Sequence, residues 1–205
     1  MTYTNEKNTS RTRPGKASLG LAFLLAFAGS AMAQPAITPQ CVSSGDYLLT
    51  VTSPALDDRQ LIMDLIHRYL WALDEGTFVG MDDMLTENVI YELCNGALNQ
   101  LQKKTDREAL KAYLREIDAK ADDEDGSAAF RTRHFESNTL LHAVDGDTVQ
   151  GKTALVVTLQ FAALPMPVLD YTATLESTFE KVDGVWKFST LKLITDGAEV
   201  ELSAR

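Results

Sequence analysis

Apolar residues recur at three- and four-residue steps through Ile62, Leu65, Ile66, Tyr69 and Leu73. That spacing is the stripe of an amphipathic helix. Ser53 followed by Pro54 suits an N-cap with proline in the first turn. Asp57 and Asp58 then occupy the turn where the helix dipole favours negative charge, and Gly76 is a natural stop. The pattern predicts a helix from Asp57 to Glu75, ~28 Å long at ~1.5 Å per residue. Asp74 closes it at the edge of the stripe. Trp71 faces away from the stripe, where it is expected to be covered by another segment or subunit.

Past Gly76 the periods shorten. Thr77 to Leu85 predicts a short second helix. Val89 to Leu93 alternates as a strand, Asn95-Gly96 marks a turn, and Ala97 to Gln102 fits a second short strand. Thr105-x-x-Glu108 has capping-box form and opens a helix to about Ala119. Four long strands follow: Phe130 to Val144, Thr148 to Ala162, Tyr171 to Val182, and Val185 to Ile194 after the Asp183-Gly184 turn. Helices followed by antiparallel strands make the fold α+β. A strongly bent sheet wrapped on the long helix leaves a pocket between them.

The ends of the chain alter this picture. Lys7, Arg11, Arg13 and Lys16 precede an apolar run, Leu19 to Ala28, that is too short to span a bilayer as an ordinary helix. Ala31-Met32-Ala33 fits a cleavage site, so residues 1–33 read as a secretory signal peptide, cleaved after Ala33. The protein is therefore expected to be periplasmic or secreted, with no membrane contact after cleavage. Residues 34–52 form an N-terminal arm in which 46–51 could add a strand, 53–198 form the domain, and 199–205 form a tail.

The mature chain keeps 15 Lys+Arg against 28 Asp+Glu. That excess excludes nucleic acid and anionic membranes as natural partners. Cys41 and Cys94 suit one disulfide in an exported protein, which would staple the arm to the domain; two buried thiols are the alternative. The acidic run at 122–125 lacks EF-hand spacing and reads as an exposed loop. The three histidines, His67, His134 and His142, lack ligand spacing, so no metal is expected. No nucleophile elbow, phosphate loop or dinucleotide fingerprint is present.

Four segments carry a family resemblance: Asp64 to Gly76 (DLIHRYLWALDEG), Val89 to Gly96 (VIYELCNG), Thr132 to Asn138 (TRHFESN) and Asp183 to Phe188 (DGVWKF). In order and spacing they resemble the SnoaL-like branch of the nuclear transport factor 2-like superfamily. The resemblance implies a cone-shaped α+β barrel. In it, a long N-terminal helix and two shorter ones pack in the concave face of a strongly bent, mostly antiparallel sheet. It also implies a homodimer and chemistry without a cofactor. In dehydratase-like and dehydrochlorinase-like members a His on the TRH strand pairs with an Asp at the end of the first helix, often helped by a Tyr one turn earlier. The matching residues are His134, Asp74 and Tyr69.

The chemistry agrees with that assignment. Elimination needs a base that titrates near neutrality, and His is the natural choice. A carboxylate fixes its tautomer, and Tyr69 could donate to a leaving oxygen or a carbonyl. Phe130, Thr132 and His134 alternate onto one strand face, and strict alternation adds Asn138, so Phe130, Thr132 and Asn138 are candidate substrate contacts. His67 and His142 are expected to face solvent or packing.

Three departures from the family stand out. Leu175, Glu176 and Ser177 occupy the place of a Tyr-x-Asp pair. The stretch 153–161 has no second Asp. The basic residue of the last strand falls near Leu191 and Lys192. Two functions remain open: a lyase or isomerase acting on a small apolar molecule, or a non-catalytic ligand-binding or protein-interaction module with a vestigial pocket.

Overall fold

The computed structural model describes residues 41–43, 51–120 and 130–197, all within one unit spanning 38–205. The signal peptide, residues 46–50 of the strand expected at 46–51, the acidic run at 122–125 and the C-terminal tail lie outside the described residues, and Val51 is not in a strand. Three helices, α1 (Leu56–Asp74), α2 (Met81–Met84) and α3 (Arg107–Lys120), accompany six strands. These are β1 (Leu85–Asn95), β2 (Gln100–Thr105), β3 (Phe130–Ala143), β4 (Thr148–Phe161), β5 (Val168–Val182) and β6 (Val185–Thr195). They form one sheet in the order β2-β1-β6-β5-β4-β3. Every neighbouring pair is antiparallel except β1 with β6.

Helix α1 contacts both β6, inside the sheet, and β3, at its far edge. The sheet therefore curves around the helix, and the apolar stripe becomes the centre of the core. Ile62, Leu65, Ile66, Tyr69 and Leu70 are buried against Leu141, Leu155, Leu175, Phe179 and Phe188 from the sheet. The opposite face of the sheet carries a row of charged residues. Pairing lines up Lys152, Glu176, Lys192, Glu92 and Lys104 across five strands, a row of alternating charge. Opposite charges placed directly across strands support one another.

The ends of α1 are fixed by different chemistry. Its N-cap is Ala55, without a side-chain cap, and Ser53 Oγ turns instead to the carbonyl of Pro54 at 3.3 Å. The expected serine cap is thus corrected: the helix starts two residues too late for Ser53 to sit at its N-cap. Asp58 anchors this end instead. It accepts from Trp186 Nε1 at 2.8 Å and pairs with Lys181 Nζ at 2.7 Å. At the other end Gly76 adopts φ +61° and Thr77 N donates to the carbonyl of Ala72 at 3.1 Å, a Schellman closure. Helix α3 is capped by Asp106, whose Oδ1 accepts from Ala109 N at 2.9 Å. Thr105, the expected cap, is the last residue of β2 and so cannot serve.

The Lys181 ammonium, and after it the Trp186 N–H, hold the Asp58 carboxyl below its usual range. A depressed folded-state value stabilises the fold above the ordinary carboxylate range, near pH 3.9, and that stabilisation is lost as pH falls through the depressed value. Asp58→Asn is therefore expected to cost about 1 kcal/mol at neutral pH, a modest figure because the pair is partly solvated. The deficit should vanish in acid. Urea melts of both proteins from pH 7 downward check this; a constant deficit across that range would show that the charge is not responsible.

Candidate active site

Asp74 is the last residue of α1, and the Schellman turn at Gly76 fixes where it points. It is buried, at 7% exposure. Its carboxylate meets β3 at His134. Nδ1 of His134 lies 2.6 Å from Asp74 Oδ1, and the backbone N–H of His134 donates to both carboxylate oxygens at 3.1 Å. An ionised carboxylate only accepts. Against an ionised Asp74 the donor is Nδ1, and in the neutral ring Nε2 then keeps its lone pair. The His134 side chain is 10% exposed, so the ring is largely screened from water.

Two further ties hold α1 to this edge strand. His67 Nε2 lies 3.0 Å from Glu136 Oε1, seven residues before Asp74 along the helix and two past His134 along the strand. Outside the barrel, Arg133 donates to the carbonyl of Thr132 at 3.1 Å, and its guanidinium lies 5.6 Å from the centre of the Trp71 ring. Trp71 remains 55% exposed and is covered by this cation rather than by a packed segment of the described chain. His142 accepts from the backbone N–H of Thr52 at 3.0 Å. His67 and His142 thus serve packing, as expected.

Thr132 and Phe130 lie on the same inward row as His134, and the Phe130 ring packs on Phe161 at 5.7 Å. Asn138 does not lie on that row. The β3–β4 register shifts between Ser137 and Leu140, and Asn138 adopts φ +53° on an exposed bulge. Thr139 takes the inward place and bonds Glu136 Oε2 at 2.9 Å and Thr153 Oγ1 at 3.1 Å. One extra residue in the strand reverses the alternation beyond it, so the expected Asn138 contact is corrected. Tyr69 is buried in the core, with its ring 5.3 Å from that of Phe188. Burial pushes its hydroxyl above the usual phenol range, and the nearby Tyr171 adds to the shift.

Tyr171 of β5 and the acid before it, Asp170, both hold their protons more tightly than usual. Across the sheet His134 pairs with Val157, and Val157 with Tyr171, so His134 and Tyr171 share a row two strands apart. Tyr171 is also raised, first by burial, then by Asp170, Tyr113 and Asp74. Asp170 is raised by burial and drawn back by His134. The sequence places β5 from Tyr171; the strand instead starts at Val168 and carries both residues. A signal was present in Val168-Leu-Asp-Tyr171, an acid among strand formers. Of the expected family positions, Leu175 and Ser177 are buried in the core face, while Glu176 and Lys192 pair with each other on the outer face at 3.8 Å. Among the described residues, no three His, Cys, Asp or Glu gather to hold a metal ion.

The profile of the SnoaL-like domain matches residues 54–192. The chain belongs to the SnoaL-like domain family. No curated protein matches this SnoaL-like chain in sequence. Solved structures agree with its fold. A protein from Novosphingobium aromaticivorans, provisionally assigned as a scytalone dehydratase, is 21% identical, with a TM-score of 0.53 over 68% of this chain and 85% of that one. LinA is 19% identical, with a TM-score of 0.54 over 69% of this chain and 87% of that one. ActVI-ORFA from Streptomyces coelicolor is 16% identical, with a TM-score of 0.56 over 68% and 98%. At these identities the likeness shows the fold alone, a cone-shaped α+β barrel.

Proposed function

We propose that this SnoaL-like protein is an exported, cofactor-independent lyase or isomerase acting on a small apolar molecule. His134 is the base, Asp74 its partner, and Tyr69 a buried hydrogen-bond donor. The observation that carries this reading is the 2.6 Å bond between His134 Nδ1 and Asp74 Oδ1. It leaves Nε2 as the basic atom, and the carboxylate stabilises the imidazolium formed when Nε2 takes a proton from carbon. The resemblance to a provisional scytalone dehydratase supports loss of water as the reaction class. The Cys41–Cys94 disulfide supports export, since such bonds persist in oxidising compartments. The homodimer belongs to the same proposal, and light scattering decides it: a monomeric mass removes it.

Ring opening of nitrobenzisoxazole tests the base directly. The reaction needs only proton removal from carbon, because its phenoxide leaves unaided. His134→Gln is expected to lower the rate about 10²-fold or more. If a folded His134→Gln protein keeps the wild-type rate, only the non-catalytic binding module remains.

A further inference from the structure

Helix α1 meets the edge strand β3 through two bonds of the same kind. Asp74 Oδ1 of α1 lies 2.6 Å from His134 Nδ1 of β3. His67 Nε2 of α1 lies 3.0 Å from Glu136 Oε1 of β3. Each rung joins one histidine to one carboxylate, and the two elements exchange roles from one rung to the other. His67 and Asp74 stand seven residues apart, two turns along one face of the helix. His134 and Glu136 stand two apart on the inward row of the strand.

The second rung is fixed from behind. Past the bulge at Asn138, Thr139 is the next residue on the inward row. Its hydroxyl donates to Glu136 Oε2 at 2.9 Å and lies 3.1 Å from Thr153 Oγ1 of β4, a buried residue. Both oxygens of Glu136 are thus engaged, one toward the helix and one toward the sheet. A helix held at one point is free to pivot about it. A second tie two turns away, ~10 Å at ~1.5 Å per residue, removes that freedom. Arg133 Nη1 also reaches the carbonyl of Asp74, at 3.5 Å, too long a bond to fix the helix alone. The His67 side chain is 45% exposed and that of Glu136 22%. So solvated a pair adds little to stability, and what it supplies beside the buried rung is geometry.

We propose that His67 and Glu136 are positioning residues for the base: their bond sets the orientation of α1 on β3, and so the alignment of Asp74 with His134. The proposal rests on the reading of His134 as a base. Neither residue gives or takes a proton in the reaction. Their effect runs through the helix to Asp74 and from there to the ring. A misplacement of about 1 Å at a reacting group costs on the order of 10²-fold in rate. A helix that pivots therefore slows the chemical step and leaves substrate affinity alone.

Nitrobenzisoxazole opening and NMR of the His134 Nδ1 proton, assigned by its loss in His134→Gln, test this. His67→Ala is expected to lower kcat about ten-fold, with KM within about two-fold of wild type. Its Nδ1 proton should move from the wild-type shift, while its melting temperature stays within about 3 °C. Glu136→Ala should show the same kcat, and the double variant should be no slower than either single one, since all three cut one tie. His67→Gln places an amide nitrogen where Nε2 stands and should recover most of the rate. An unmoved Nδ1 proton in the folded His67→Ala protein would overturn the proposal, whatever its rate. So would wild-type kcat, losses that add in the double variant, or a raised KM at unchanged kcat, which would make the pair a substrate contact. If His134→Gln keeps the wild-type rate, the reading of the base fails instead, and the proton shift alone decides whether the pair aligns Asp74 with His134.

Discussion

Asp74→Asn is expected to lower turnover about 10³-fold while leaving the barrel folded. The size of the effect follows from what the carboxylate accepts. It takes the Nδ1 proton of His134 at 2.6 Å and the backbone N–H of the same residue on both oxygens. An asparagine amide has one acceptor oxygen and one donor nitrogen. If the oxygen keeps the backbone N–H, the amide N–H₂ faces Nδ1. Nδ1 must then accept, and the ring proton moves to Nε2, the atom needed as a base. The substitution removes the base without removing the ring. Stability should fall by about 1–3 kcal/mol, the cost of disturbing a buried charged acceptor. Nitrogen NMR of the imidazole reads the tautomer, and nitrobenzisoxazole opening reads the rate. Wild-type turnover, or a proton still on Nδ1 in the variant, would remove Asp74 from the mechanism.

Much of this pair was legible before any coordinates. The helical period from Ile62 to Leu73 carries the helix to Asp74, and the glycine at 76 stops it there. Alternation along 130–136 turns His134 inward. Both signals are local and periodic, and both survive folding because one face of each element enters the core. The two errors at the site share one cause. At Asn138 and at Asp170 a strand carries one residue more than its partner, and alternation in sequence has no mark for it. The first bulge ejects Asn138 from the inward row. The second shifts the register of β5 at Asp170. Asparagine tolerates the left-handed backbone of its bulge, which was the hint at 138. The missed caps have a different origin: Ser53 and Thr105 match a preference. The chain path around them, set by the Asp58 anchor and by β2, decides where each helix begins.

Cutting the Cys41–Cys94 bond is expected to lower stability by about 2–4 kcal/mol and to leave the chemistry intact. The bridge closes a span of 53 residues, and a chain-entropy argument puts the gain for such a loop near ~4 kcal/mol, an upper figure because native contacts also respond. Those contacts are specific. Cys41 N donates to Asn99 Oδ1 at 3.0 Å, Ser43 Oγ donates to Glu176 at 3.0 Å, and the two sulfurs pack with Ile194 and Leu101. The arm is thereby pinned to β1, β5 and β6. His134 lies on β3, at the opposite edge of the sheet from β2 and β1. Its partner Asp74 is held by the end of α1, and among the described residues the arm meets β3 at His142 and Ala143, eight or more residues beyond His134. Cys41→Ser/Cys94→Ser should therefore melt about 10 °C lower and, well below that temperature, open nitrobenzisoxazole within about two-fold of the wild-type rate. Thermal melts with and without reductant make the same comparison in the unmodified chain. An unchanged melting temperature would show that the arm contributes nothing to the fold. A lost rate at full folding would show that the arm reaches the site after all.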